Sequence, residues 1–367
     1  MHLQTQRFTP RVSKRSTQGP LDEDRAIVQA LRGMAGVDMV QPIFFGGRLV
    51  AWAKGETWSR EVTWRPAMPG EKWDCTNSTY DALMNSIASG KKWSMNWSKS
   101  NTTAPVAGQI MDLWPVGGNP ASGTYPGTAY TARQLDDTTT GAIYHGGNQS
   151  PDIKNLIMIH GLVTAGVFTA YLYDRCLTYE GCSFNANVNQ AMTNTLTLQR
   201  YQAAGEGGCK IMVTGQTVLG ATAANITQLR YTDQDGNTLQ SMPTSPTIAT
   251  IVSAAAPTGT LGARVIAPAV GANPIGPYLP LAAGDGGARL INDFTTSAAN
   301  TGTICFALVR PLAVLTIPFA DTTSMIDLVQ QVAGYERIRD GACLSIFGYN
   351  QSATAFTIMG GTDCAWG

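Results

Sequence analysis

Between Asn155 and Tyr173 the chain reads NLIMIHGLVTAGVFTAYLY, an apolar stretch close to the length that crosses a membrane as a helix. His160 and two glycines interrupt it, and β-branched residues crowd it. It reads as buried β-structure, and no membrane partner is expected. TGTICFALVRPLAVLTI further on is almost wholly apolar, as a strand buried on both faces is. CKIMVTGQTVLG is another strand, and ITQLRYTDQDGNTLQSM is a strand pair folded back at Asp235-Gly236, a favoured hairpin turn.

Composition fits this reading. The 367 residues include 39 Gly and 19 Pro, and only 14% are charged, against about 25% in ordinary soluble domains. A neutral surface rich in turns suits an all-β protein that covers much of itself with neighbours. The expected fold is an antiparallel β-sandwich, jelly-roll-like, preceded by a short helix and a flexible arm. The arm and helix occupy residues 1–40, a Trp-rich β domain with long loops 41–150, and a β-sandwich domain 151–367. The last carries a faint repeat that divides it at about 260 into 151–260 and 261–367: RYQAAGEGGCKIMV and GYERIRDGACLSIF each place a tyrosine (Tyr201, Tyr335) eight residues before a cysteine.

Residues 1–20 hold Arg7, Arg11, Lys14 and Arg15 and no acid. They read as an arm that orders only against an acidic partner surface. Four charges are too few to make nucleic acid the main ligand. LDEDRAIVQALRGMAG then has helical spacing at Ile27, Val28 and Leu31, acids at its start, and Gly33 or Gly36 to stop it. No apolar signal segment follows Met1, so export is not expected, and sequons such as Asn77-Ser78-Thr79 are read as accidental. Cys75, Cys176, Cys182, Cys209, Cys305, Cys343 and Cys364 show no zinc spacing and read as reduced, mostly buried thiols. Cys176 and Cys182 are near enough in sequence to pair, which spacing alone does not decide.

The search for chemistry returns little. GEGGCK, with Gly207 and Gly208, leads into a strand rather than a helix, so its glycines serve a turn and not a dinucleotide. SIASGKKW misses the phosphate-loop pattern at Asn85 and Lys92. DQDGN fails as a calcium loop at Thr238 and Thr244. His160 reads as a hydrogen-bonded core histidine. His145, in the loop YHGGN, is the one candidate general base, with no nucleophile motif to serve, and its replacement is expected to be silent. The Asp136-Asp137 pair reads as solvated charge. No enzyme activity, metal or cofactor is expected. Trp52, Trp58 and Trp64, six residues apart, share a face if they lie on continuous strands; they read as core, with a carbohydrate platform of an adhesin as the alternative.

LYDRCLTYEGCS and TNTLTLQRYQAAGEGGCKIMVTGQTVLGATAANITQLRYTDQDGN, continued by PLAAGDGGARLINDF and TICFALVRPLAVLTIP, are similar to a family of tailed-bacteriophage virion structural proteins. The likeness covers roughly residues 150–350. It implies a structural component assembled in the bacterial cytoplasm into a virion, in contact with other virion proteins and copies of itself. A capsid-associated auxiliary or decoration protein docked through its arm is the first expectation, and a neck, collar or tail component the second.

Overall fold

A computed structural model describes residues 43–45, 48–50, 80–184, 187–202, 207–220, 222, 224–243, 262–267, 269–270, 273–274, 276–329 and 336–367. The basic arm, the helix expected after it, Cys75 and the tryptophans at 52, 58 and 64 lie outside the described residues. Two compact units are present, Met1–Thr63 and Trp64–Gly367. In the first, β1 (Ile43–Phe45) and β2 (Arg48–Val50) form an antiparallel hairpin with Ile43 opposite Val50.

The first described element of the second unit is a helix, α1 (Tyr80–Ala88). It ends where Gly90 takes a φ of +85°, while Gly90 N and Lys91 N donate to the carbonyls of Ile87 and Ser86. Then come β3 (Lys92–Asn101), β4 (Gln109–Asp112), β5 (Gly118–Asn119), β6 (Ala132–Gln134) and β7 (Lys154–Val163). The longest strand, β8 (Phe168–Ser183), is followed by β9 (Gln190–Ala191), β10 (Lys210–Gly215), β11 (Ile226–Asp233) and β12 (Gln240–Ser241). Three short strands come next, β13 (Ala263–Arg264), β14 (Ala269–Val270) and β15 (Asn273–Pro274). The rest are β16 (Ala288–Thr296), β17 (Thr303–Ile317), β18 (Ser324–Asp327), β19 (Arg337–Ile338), β20 (Leu344–Asn350) and β21 (Phe356–Trp366).

These strands make three larger antiparallel sheets. The central one runs β10-β17-β8-β20-β4-β13, with β6 also on β8. A four-stranded sheet runs β12-β11-β16-β9, and a six-stranded sheet runs β18-β7-β21-β3-β5 with β19 on β7. The long partners β8 and β17 are shared between two cores. Cys176, Leu177, Tyr179 and Cys182 of β8, with Ile304, Phe306 and Leu308 of β17, pack on Leu229, Tyr231, Ile291 and Phe294 of the four-stranded sheet. Phe168, Ala170 and Leu172, with Leu315 and Ile317, pack instead on Trp97, Leu156, Ile159 and Ile358 of the six-stranded sheet. The changeover coincides with bulges between Leu308/Val309 and Pro311/Ala313, which reset the alternation along β17. Each large apolar side chain buried this way contributes roughly 1.5–3 kcal/mol.

The chain is therefore all-β, with sandwich packing on a common central sheet. The boundary expected at residue 150 does not separate domains: β3 pairs with β21 over ten residue pairs, and β4 pairs with β20. Nor do 151–260 and 261–367 form separate halves, because β8 and β10 flank β17, and β11 lies beside β16. Hydrogen bonds between strands distant in sequence overrule the compositional boundaries. The apolar stretch at residues 155–173 supplies β7 and the start of β8.

Candidate interaction surface

A few of the charged side chains are buried inside the fold, among them Asp112, Asp174, Arg175 and Arg200. Asp174 and Arg175 are consecutive in β8 and face opposite ways. Asp174 receives Nε and Nη2 of Arg200 at 2.8 and 2.9 Å and the backbone N–H of Cys343 at 2.8 Å. Arg175 reaches Asp112 on β4, which also accepts the Tyr173 hydroxyl at 2.8 Å. The Arg175 guanidinium lies over the rings of Trp114 and Tyr125. Burial is the largest single influence and works against both guanidinium charges, but their neighbours together, Asp174 first for Arg200 and Asp112 first for Arg175, outweigh it and raise both pKa values. Lys99 is buried against the carbonyls of Val116, Pro120 and Ala121, and burial lowers its pKa to about 8, partly offset by Asp112. Asp112–Arg175 joins β4 to β8, and Asp174–Arg200 ties β8 to the segment before β10.

The groups singled out for chemistry are also committed internally. His145 is fully buried rather than a free loop residue: its Nδ1 and carbonyl oxygen meet Lys154 Nζ at 2.8 and 2.9 Å, and Gly147 O is the third acceptor. Burial, and then the Lys154 charge, lowers the His145 pKa to about 4. Asp137 faces His145 Nε2 at 3.8 Å, and Asp136 accepts from Thr138 and Thr139, so this pair is built into a turn rather than simply solvated. The six cysteines among the described residues are free and buried. Burial, the leading cause, raises the pKa to about 12 at Cys305 and Cys364 and raises it at Cys176, Cys182 and Cys343 as well. Among the described residues, no three His, Cys, Asp or Glu side chains are grouped as a metal site.

The turn residues sit at strand junctions. Gly207 and Gly208 have φ of +74° and +63° and lead to Cys209, which exchanges two backbone hydrogen bonds with Ala288. Asp235 and Gly236 lie between β11 and β12, where Gly236 has φ +91° and the Asp233 carboxylate accepts from the N–H groups of Asp235 and Asn237. That carboxylate is consumed by the turn itself.

Among the described residues, exposed side chains mark the outer face of the six-stranded sheet. Register places Met325, His160, Gly361 and Asn96 in one row across β18, β7, β21 and β3. Leu162, Met359, Ser98 and Asn119 form the next row, across β7, β21, β3 and β5. Asp327, Met158, Asp363 and Ser94 form a third. Met325 and Met359 are 56% and 40% exposed, so thioethers make up the accessible apolar surface. A shallow groove of about 350 Å³ crosses this face between Asn96, Ser98, Asn119, His160 and Met359. A Cβ on Gly361 would stand 2.6 Å from His160 Cε1, so the imidazole lies over bare backbone. His160 is only half-buried, and its Nδ1 has no hydrogen-bond partner among the described residues, unlike the satisfied core histidine that its apolar neighbours suggest. A flat face with adaptable methionines, amides and hydroxyls, and with Asp327 and Asp363 as the carboxylates of its three rows, suits contact with another protein surface. The sequence missed it; the signal was period-two alternation in KWSMNWSKSN, which puts Met95 and Trp97 on one side and Asn96 and Ser98 on the other.

Fold and surface together define an all-β protein with shared-sheet sandwiches and, among the described residues, an exposed sheet face. No protein-family model matches the chain, and no curated protein matches it. Three solved viral particles align over most of its length. The T=1 particles derived from infectious bursal virus align at 10% identity over 75% of this chain and 77% of theirs, with a TM-score of 0.15. The VP2 subviral particle of infectious bursal disease virus aligns at 10% identity over 75% and 80%, with a TM-score of 0.16. The Gx strain of the same virus gives 9% identity over 74% and 80%, again with a TM-score of 0.16. Scores this low do not superpose two folds.

Proposed function

We propose that the chain is a non-enzymatic structural component of a tailed-phage virion. In this reading it is a capsid-associated auxiliary or decoration protein, assembled in the host cytoplasm and docked through Arg7, Arg11, Lys14 and Arg15 of its N-terminal arm. The observation that carries the reading is the exposed sheet face at Met325, Met359 and Asn96, set on a body whose buried Asp112–Arg175 and Asp174–Arg200 pairs are internal ties. A neutral face with soft side chains packs against neighbouring copies, and closed symmetry multiplies weak contacts of this kind. The motifs of residues 172–237 and 280–318 supply the phage assignment by resemblance. Burial of His145 and of six thiols favours a structural role over acid–base or nucleophilic work. A neck, collar or tail position fits the same features.

Micrographs of particles labelled with antibody against this chain test the reading. Label over the head supports the auxiliary role, and label at the neck or tail replaces it with the second position. Absence from purified particles would sink both. Removing residues 1–20 should leave the melting temperature unchanged and reduce incorporation; equal incorporation removes the arm from the proposal.

A further inference from the structure

Cys182 is the cysteine nearest to Cys176 in sequence, yet the thiol lying against Cys176 belongs to Cys209, with Sγ to Sγ 3.6 Å. Cys182 turns away and donates to the carbonyls of Tyr179 and Glu180. Cys176 belongs to β8 of the central sheet. Cys209 precedes β10 and is bridged to Ala288, the first residue of β16, in the four-stranded sheet. Cys209 thus stands at the end of β10, across β17 from β8 in the central sheet, where that sheet is bridged to the four-stranded one, and both sulfurs belong to the core between the two sheets. Both residues are sealed there, 2% and 1% exposed.

We propose that Cys176 and Cys209 form a latent crosslink, which closes into a disulfide when a small-molecule disulfide such as oxidised glutathione reaches the core. A disulfide needs its sulfurs about 2.05 Å apart, so closure requires the pair to approach by about 1.5 Å. One cysteine thiolate attacks the small disulfide, making a mixed disulfide and expelling one small thiolate. The second cysteine attacks the protein sulfur and expels the other half. Two cysteine thiols are oxidised, one small disulfide is reduced, and the two protons leave on two small thiols. Cys209 is the entry point, because it stands at a strand end beside the Gly207–Gly208 turn, where local opening is easier than in the middle of β8. Burial holds the Cys176 thiol protonated, which makes closure slow. The pair therefore stays reduced in a reducing compartment and closes during long exposure to an oxidising one. This inference stands whether or not the chain is a virion component.

The test uses the full chain, incubated natively with oxidised glutathione for hours to days, quenched in acid, unfolded, alkylated and digested with trypsin. Cys176 and Cys182 fall on the peptide 176–200 and Cys209 on 201–210. The expected product joins these two peptides, carries its alkyl group on Cys182, and disappears on reduction. Its formation should raise the melting temperature by roughly 4–10 °C, because residues 177–208 become a closed loop in the unfolded chain. Cys182→Ser should keep the crosslink and Cys209→Ser should lose it. If either variant fails to fold, the wild-type peptide map decides alone. Both peptides fully alkylated after prolonged oxidation, or a bond between Cys176 and Cys182, overturns the proposal.

Discussion

Lys154 Nζ lies 2.8 Å from His145 Nδ1, with both side chains out of reach of water. An ammonium has three protons, and Lys154 has three acceptors: this ring nitrogen and the carbonyls of His145 and Gly147. The match fixes the neutral tautomer of His145 with its proton on Nε2, toward Asp137. A protonated His145 would put two cations in contact inside the core.

Stability should therefore fall on mild acidification. His145 titrates at about 4 in the folded chain, against about 6.5 unfolded. Above pH 6.5 both states are neutral and the contribution is complete. As pH drops from 6.5 toward 4, only the unfolded chain takes up the proton, and roughly 3 kcal/mol of stability is lost. Urea titrations at pH 7, 5.5 and 4 measure this. His145→Gln keeps an acceptor for Lys154 and should flatten that part of the profile. His145→Ala should cost about 2–4 kcal/mol at pH 7 by leaving Lys154 short of a partner. An unaltered pH profile in the Gln variant would show that the histidine is not the sensor.

Arg175 and Asp112 should be far more sensitive to single than to joint replacement. Arg175→Met leaves the Asp112 carboxylate buried beside Tyr173 without its cation and should cost about 3–5 kcal/mol. Asp112→Leu combined with Arg175→Met removes both charges and should recover much of that loss. Denaturant midpoints of the two single variants and the double variant form a cycle that measures the coupling. Additive losses would contradict a mutually dependent pair.

Much of the strand content is legible in the sequence, because apolar runs and turn residues act locally. The segments around Ile159, Phe306 and Val213 need no partner to be recognised as strands. What pairs with what is not local. Asp112 and Arg175 are 63 residues apart, and nothing in YDRC distinguishes a buried arginine from a solvated strand end. His145 fails for the same reason: YHGGN has the composition of an exposed loop, and only Lys154 on the following strand makes it core. Leu83 and Ile87, one helical turn apart before Gly90, could have revealed α1, but Asn and Ser around them read as loop. The thioether face was obscured because His160, Leu162 and Met158 look like core until the open side of their sheet is known.

Met325→Asp and Met359→Asp test that face. Both side chains are exposed, so the change in folding stability should stay within about 0.5 kcal/mol. Each adds a carboxylate to a face whose third row already holds Asp327 and Asp363. Incorporation into particles, or self-association measured by sedimentation, should fall well below that of the wild type while melting is unchanged. Wild-type assembly by the double variant would remove this surface from the contact.

Gly207 and Gly208 should differ in cost although both have positive φ. Holding an L-residue in that region costs about 1–2 kcal/mol by itself. At Gly207 a new Cβ would meet only the Arg310 guanidinium, at an ordinary 3.6 Å, so the conformational cost is the whole cost. At Gly208 it would stand 3.2 Å from the backbone of Ala288 and Gly287, and a backbone hydrogen-bonded to Cys209 cannot give way like a side chain. Gly208→Ala should therefore lose roughly 2–3 kcal/mol and Gly207→Ala about 1 kcal/mol. Because Cys209 is reached by local opening beside this turn, loosening its bridge to Ala288 should also speed oxidative closure with Cys176 more in Gly208→Ala than in Gly207→Ala. Thermal melts with and without a panel of nucleotides separate this scaffold role from ligand binding. A nucleotide-dependent rise in melting temperature that both variants lose would show that the turn cradles a phosphate instead.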